Sequence, residues 1–344
     1  MHPKHPTLRR VDVHAHYLPG PYHQALMDAG FGLTDGGMPV PVWNELAHLS
    51  RMEQSAIGFS VLSISSPGVS FLPPISAAAL AREVNEYATK LCAEHPGKFG
   101  YFATLPCADS EAMLRECRYA LDTLNADGVC LETNADGRYV GDPYFDRLLD
   151  LLDERSAILY LHPTSPPCLE QVGLGLPGPL IEFPFDTTRA VVRLIYGGAM
   201  RRHPHLRIIL SHAGGALPLL VPRIAGFAST RFASPRPEGG ASEVYEQVRR
   251  LYFDLALASS PAVLEALLRI TSLSHLLYGS DFPWAPRPAI DANDSQFAAL
   301  LERLSPVERQ MISYGNAADL FPRLRAFIEA PILEKDMLPD SADQ

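Results

Sequence analysis

The run Val11-Asp12-Val13-His14-Ala15-His16 is a short apolar string that ends in two histidines one residue apart. In a strand, side chains alternate between faces. His14 and His16 therefore point the same way, with Asp12 below them. Two imidazoles side by side at a strand end form half of a divalent metal site. Whether the chain supplies the other half depends on where its remaining strands end.

Eight β-rich runs can be traced, at about 8–14, 58–65, 99–105, 128–132, 158–162, 206–212, 251–255 and 275–280. Several are continuous hydrophobic strings, such as Ile158-Leu159-Tyr160-Leu161 and Ile208-Ile209-Leu210. That is the pattern of strands buried on both faces of a parallel sheet. Helical patterns fill the intervals, at about 43–56, 76–95, 110–124, 143–155, 187–203, 214–229, 242–249 and 261–271. Asp109-Ser110-Glu111 and Ser260-Pro261 have the form of helix starts. Eight strand-helix units predict an α/β fold, a closed (β/α)8 TIM barrel. An open doubly wound sheet is the alternative, but the chain carries no GxGxxG or phosphate-binding loop to support it. Gly/Pro-rich insertions at 17–41 and 163–184 follow strands 1 and 5, at the end where barrel enzymes carry substrate loops. Residues 1–330 read as one domain, with extra helices beyond about 288. Residues 331–344 read as a polar tail.

In a barrel the C-terminal ends of all strands meet at one mouth. Sorting the reactive residues by strand end selects five. His14 and His16 end strand 1, His162 ends strand 5, His212 ends strand 6 in Ser211-His212-Ala213-Gly214-Gly215, and Asp281 ends strand 8 in Gly279-Ser280-Asp281-Phe282-Pro283. His95, His203, His205 and His275 precede strands and belong at the opposite end. His2 and His5 lie in the N-terminal tail, while His23 and His48 are expected in surface roles. Three imidazoles and a carboxylate, from His14, His16, His162 and Asp281, suit one Zn²⁺ with a coordination position left open, and would also accept Mn²⁺. His212 is left beside the metal as a candidate general acid or base. Phe282, Trp284, Phe185 and Tyr17 are candidate pocket walls.

Composition narrows the partners. With 29 Lys+Arg against 39 Asp+Glu, the net charge is −10, which disfavours nucleic acid and anionic membranes. Hydrophobic residues make up 47% of the chain, enough for a large core, yet no apolar run approaches membrane-spanning length. The five cysteines have no framework spacing and read as reduced thiols, so the expected location is the cytoplasm.

These motifs resemble the decarboxylase branch of the amidohydrolase superfamily, from Val11 to about Phe327. The resemblance rests on Asp12-Val13-His14-Ala15-His16, Leu161-His162-Pro163, Ser211-His212-Ala213-Gly214-Gly215 and Gly279-Ser280-Asp281-Phe282-Pro283. Within that branch the chain is most similar to 6-methylsalicylate decarboxylases. It shares Leu62-Ser63-Ile64-Ser65-Ser66-Pro67-Gly68, Tyr252-Phe253-Asp254 and Ala256-Leu257-Ala258-Ser259-Ser260-Pro261 with them. It is also similar to α-amino-β-carboxymuconate-ε-semialdehyde decarboxylase and γ-resorcylate decarboxylase. The resemblance implies a single divalent metal on His14, His16, His162 and Asp281. It also implies a catalytic histidine at His212, with Asp281 as a possible proton relay, and non-oxidative loss of CO₂ from a small aromatic carboxylate. It further implies a homodimer in which Arg223 reaches the neighbouring subunit's site, and a carboxylate-binding arginine near Arg51, where the register is open. Hydrolysis of a lactone or hydration of an unsaturated acid at the same metal is the enzymic alternative. A metal-binding scaffold without turnover is the non-enzymic one.

Overall fold

A computed structural model describes residues 10–35 and 37–324. Eight strands lie side by side in chain order: β1 (Val11–His16), β2 (Phe59–Ser63), β3 (Phe99–Thr104), β4 (Gly128–Glu132), β5 (Ile158–His162), β6 (Arg207–Leu210), β7 (Tyr252–Asp254) and β8 (Leu276–Leu277). Every neighbouring pair is parallel. The seam between β1 and the end of β8 closes through Val13 N to Tyr278 O at 3.0 Å and His16 N to Phe282 O at 2.7 Å. The result is the (β/α)8 barrel expected from the sequence. All five residues of β5 are buried, as its unbroken apolar reading requires.

Helices cover the barrel: α1 (Gly20–Asp28), α2 (Glu45–Gln54), α3 (Pro74–Glu94), α4 (Ser110–Asp122), α5 (Asp146–Glu154), α6 (Gly178–Tyr196), α7 (Leu217–Ala228), α8 (Gly240–Arg249), α9 (Pro261–Leu267) and α10 (Arg287–Glu302). Asp109 caps α4 by accepting from Ala112 N, and Ser260 caps α9 by accepting from Val263 N. Among the described residues no helix is long and apolar enough to cross a membrane. The polar tail at 331–344 lies outside the described residues.

Two local departures from the sequence reading matter for the site. The register of β1 against β2 slips between Asp12 and Ala15, a β-bulge. Val13 packs in the barrel interior with Val61, Phe102, Tyr160 and Ile209, while Ala15 and Tyr17 join the outer core. The extra residue brings His14 and His16 onto the interior side after Val13. It leaves Asp12 off that side, and so not below the histidines as strict alternation demands. Asp12 instead holds the seam, accepting from Ser280 Oγ at 2.6 Å, Ser280 N at 3.1 Å and His14 N at 3.0 Å. The second departure is α6, which begins at Gly178 and not near residue 187. Pro179 sits in its first turn, where a missing N–H costs nothing, and Pro184 is carried inside the helix. Prolines that read as a loop are therefore part of a helix.

The N-terminal opening of the barrel is plugged by the chain's later residues. Ala317, Ala318, Leu320, Phe321 and Leu324 join the interior cluster, and the Phe321 ring lies 5.9 Å from that of Phe102. Phe321→Ala should cost about 3–5 kcal/mol in chemical denaturation, the usual price of a buried phenylalanine. Metal content should be unchanged, because the plug is at the end remote from the histidines. A loss below about 1 kcal/mol would show that the plug does not hold the barrel.

Candidate metal centre

The five residues selected by strand end converge. His14, His16, His162 and Asp281 each offer a ligand atom, and these four atoms lie within 4.8 Å of one another. Ion–ligand bonds of about 2.0–2.2 Å put ligand atoms at most about 4.4 Å apart, so the cluster is close to a single coordination sphere. His14 Nε2 and His16 Nε2 approach to 3.1 Å, and Asp281 Oδ1 stands 3.4 and 3.2 Å from them. The far sides of the rings are tied down. His14 Nδ1 meets Asp254 Oδ2 at 2.9 Å, and His16 Nδ1 faces Ser63 Oγ at 3.0 Å. Among the described residues His162 Nδ1 is buried without a hydrogen-bond partner. Converging imidazole nitrogens, a carboxylate oxygen and an orphaned buried ring nitrogen fit a divalent cation.

The electrostatics say the same. His14 and His16 are wholly buried, His162 is 2% exposed and Asp281 8%. Burial opposes charge on His14, but the carboxylates of Asp254 and Asp281 overcome it and push the pKa up to about 10. Burial holds His16 below the ordinary histidine value, and holds His162 well below it with help from the neighbouring histidines. Burial works to raise Asp281, yet His14 and His16 hold its carboxyl well below the usual range. Two imidazoles are thus kept neutral and one carboxyl ionised, the protonation states that ligation requires.

His212 stands beside this group, its ring centroid 4.7 Å from that of His14. Its Nδ1 lies 3.0 Å from Ala256 O, so Nδ1 carries the proton and donates, and Nε2 is free to face the cavity. The backbones of His212 (φ 50°) and Asp281 (φ 61°) are both left-handed, a conformation that side chains other than glycine adopt rarely.

Asp254, at the end of β7, was not selected by the sequence reading. It is fully buried and takes four bonds: His14 Nδ1, Tyr160 OH at 3.0 Å, His212 N at 3.0 Å and Ala256 N at 3.0 Å. Although burial works against its ionisation, His14, His212 and the Ala256 amide lower its pKa. The strand-end rule that found Asp281 also applies to Asp254.

A cavity of about 380 Å³ opens on the centre. His162, His212 and Asp281 line it, with Trp284, Phe183, Met38 and Leu180 among its apolar walls. Of the expected walls only Trp284 is there. Phe282 turns away and packs edge-on against His48 at 5.1 Å. Tyr17 is buried in the outer core with its OH on Val84 O, and Phe185 is 43% exposed outside the cavity. His48 is no surface residue. It is buried against Phe99 and Phe282, accepts from Trp43 Nε1 at 3.0 Å, and burial pushes its pKa down to about 3. Arg51 is also buried, paired with Asp291 at 2.7 Å and Asp294 at 2.9 Å away from the cavity. Arg223 lies exposed on α7, stacked over Phe227 at 5.2 Å.

The family model for the amidohydrolases matches residues 11–323. The chain belongs to that family. It is 36% identical to the decarboxylase macB of Penicillium terrestre, over 97% of this chain and 99% of that one. It is likewise 36% identical to the 6-methylsalicylic acid decarboxylase of Penicillium expansum, over 94% of this chain and 99% of that one. Among solved structures, a crystal structure described as amidohydrolase II superposes with a TM-score of 0.82 at 34% identity, covering 90% of this chain and 99% of that one.

Two substitutions test the centre. The His14→Ala, His16→Ala double variant should retain almost no divalent metal by elemental analysis, and full occupancy would remove these residues from the ligand set. Asp254→Asn leaves all four ligands in place but removes the acceptor charge behind His14. Metal retention against a chelator should weaken about 10- to 100-fold.

Proposed function

We propose that this chain is a carboxy-lyase that removes CO₂, without oxidation, from a 2-hydroxybenzoate of the 6-methylsalicylate kind. The observation that carries this reading is the pairing of a four-ligand centre with a cavity of about 380 Å³, ample for a substituted ring, flanked by a histidine whose tautomer is fixed. Two relatives spanning nearly the whole chain are named decarboxylases. When bound at His14, His16, His162 and Asp281, a divalent ion supplies chelation and Lewis-acid polarisation for the ring's carboxylate and ortho-hydroxyl. Zinc is the ion we propose from three imidazoles and one carboxylate, with manganese as the competing candidate.

The chain's own groups do the rest. Protonated at Nε2, His212 delivers a proton to the ring carbon that bears the carboxylate, with Asp281 as the adjacent relay. The carbon–carbon bond then breaks, its electron pair returns to the ring, and CO₂ leaves. Trp284 and Phe183 present apolar faces to the ring and keep water from the reacting carbon. His212→Asn should keep the metal and lose on the order of 10²–10⁴-fold in turnover. Turnover in D₂O should yield a phenol one CO₂ lighter, with deuterium at the carbon that held the carboxylate. A lactonase or hydratase would release no CO₂ and would incorporate oxygen-18 from water, which would overturn the reading.

We also propose a cytoplasmic homodimer. The five cysteines are unpaired, consistent with a reducing compartment. Among the described residues Arg223 makes no ion pair, and no lysine or arginine lines the cavity. An arginine supplied across a subunit interface would meet that lack. Mixing inactive His212→Asn and Arg223→Ala proteins should restore activity through hybrid dimers. No recovery in verified hybrids would return Arg223 to the surface.

A further inference from the structure

A buried carboxyl on α6 has no part in the chemistry above. Asp186 is wholly buried and lies outside the cavity, yet it joins α6 to the chain that follows β4. Its Oδ2 accepts from Thr133 Oγ1 and from Asn134 Nδ2 at 2.9 Å, and its Oδ1 accepts from Tyr139 OH. Thr133 comes directly after β4, and Tyr139 lies on the return arm of a small hairpin, Asn134–Ala135 with Arg138–Tyr139. Arg189, one turn further along α6, places Nη1 3.5 Å from Oδ1. A buried carboxyl with donors on both oxygens is a rigid anchor.

What it anchors bears on one residue of the ligand cluster. The His14 and His16 rings are each held at Nδ1, by Asp254 and by Ser63, whereas His162 Nδ1 has no hydrogen-bond partner among the described residues. The direction of the His162 ring is therefore set by packing and by its own main chain. Thr133 grips that main chain on both sides. Its N–H donates to His162 O at 2.8 Å, and its Oγ1 accepts from Thr164 N at 3.2 Å. Pro163, between the two, has no N–H to offer. A threonine hydroxyl carries one hydrogen and two lone pairs. With the hydrogen committed to Asp186, a lone pair is left turned toward Thr164. Without that acceptor the hydroxyl has no fixed direction, and the grip beyond His162 loosens. A metal ligand must be held within about 0.5 Å of its place, so a loosened strand end is felt at the ion.

We propose that Asp186 is a positioning residue for the metal centre: through the Thr133 hydroxyl it fixes the main chain on both sides of His162 and so holds that imidazole in the ligand sphere. This inference rests on the metal-centre reading and extends it to α6.

The test is competition for Zn²⁺, and separately for Mn²⁺, between the purified protein and a chelator, which gives the metal Kd without turnover. Asp186→Ala and Thr133→Val should each weaken binding about 10-fold, the lower end of the range for a group outside the ligand sphere. Thr133→Ser keeps the hydroxyl and should stay within about two-fold of the wild type. The Asp186→Ala, Thr133→Val double variant should bind like either single variant, because both act through one contact. Thr133→Val conserves shape, so it decides the matter where Asp186→Ala folds poorly. A merely structural role would lower Tm equally with and without Zn²⁺. The positioning role also shrinks the rise in Tm that a fixed excess of Zn²⁺ produces, since that rise follows Kd. A Kd within about two-fold of the wild type in either folded single variant, or a Thr133→Ser protein as weak as Thr133→Val, would overturn the role of Asp186 alone. Full metal retention in the His14→Ala, His16→Ala variant would overturn the metal-centre reading and this inference with it.

Discussion

The carboxylate of Asp254 is the interaction on which the mouth of the barrel depends. It is fully buried and takes bonds from four directions: the β1 histidine, Tyr160 on β5, the backbone of His212 after β6, and Ala256 beyond β7 itself. A buried carboxylate without partners is prohibitively costly, whereas one with donors on each lone pair is stable and rigid. The ends of β1, β5 and β6 are therefore gathered around one charge at the end of β7. The charge is in turn matched by the site, because His14 is drawn toward the cationic form by Asp254 and Asp281 together. A metal ion meets the same demand with a neutral imidazole.

Backbone strain is placed at the candidate site. His212 and Asp281 both adopt left-handed φ values, and Gly215 at φ 65° sits so close to Pro184 that a Cβ would lie 2.2 Å from its carbonyl oxygen. Helix α6, with Pro184 inside it, is thus packed directly on the loop that carries His212. Such conformations persist only where surrounding contacts over-determine them. Here Asp254 fixes the His212 amide, Ala256 fixes its ring, and the β1–β8 seam fixes Asp281, whose N–H donates to His14 O at 2.8 Å.

Much of this was legible in the sequence, for an identifiable reason. In a parallel barrel the direction of every strand is the same, so position at a strand end is position at the mouth. That rule needs only strand boundaries, and it brought His14, His16, His162, His212 and Asp281 together. It would have brought in Asp254 as well, but Tyr252-Phe253-Asp254 reads as an ordinary strand end because its carboxylate has no nearby histidine in sequence. The bulge at Val13-His14 was not legible, since one extra residue leaves no mark in an alternating pattern. Pro179 and Pro184 concealed the start of α6 because proline marks a helix's first turn as readily as a loop. Phe282 was expected at the cavity from its place beside Asp281. Closing the seam commits its backbone to His16, and its ring packs on His48.

The two oxygens of Asp254 divide their work in a way that couples binding to chemistry. Oδ2 supports the proposed ligand His14, while Oδ1 supports the amide of the proposed acid His212. The position of the ligand sphere and the position of the proton donor are thus set by the same rigid group, a few ångströms from each. This economy has a consequence for how effects combine. Loss of His212 alone leaves the ligand sphere supported, and loss of a ligand alone leaves the His212 loop supported. Loss of the Asp254 charge disturbs both at once, so its effect on turnover will not factor into a metal part and a proton part. In such a site the residue with the widest influence lies outside the proposed ligand set, and it is recognised by the number of elements that donate to it.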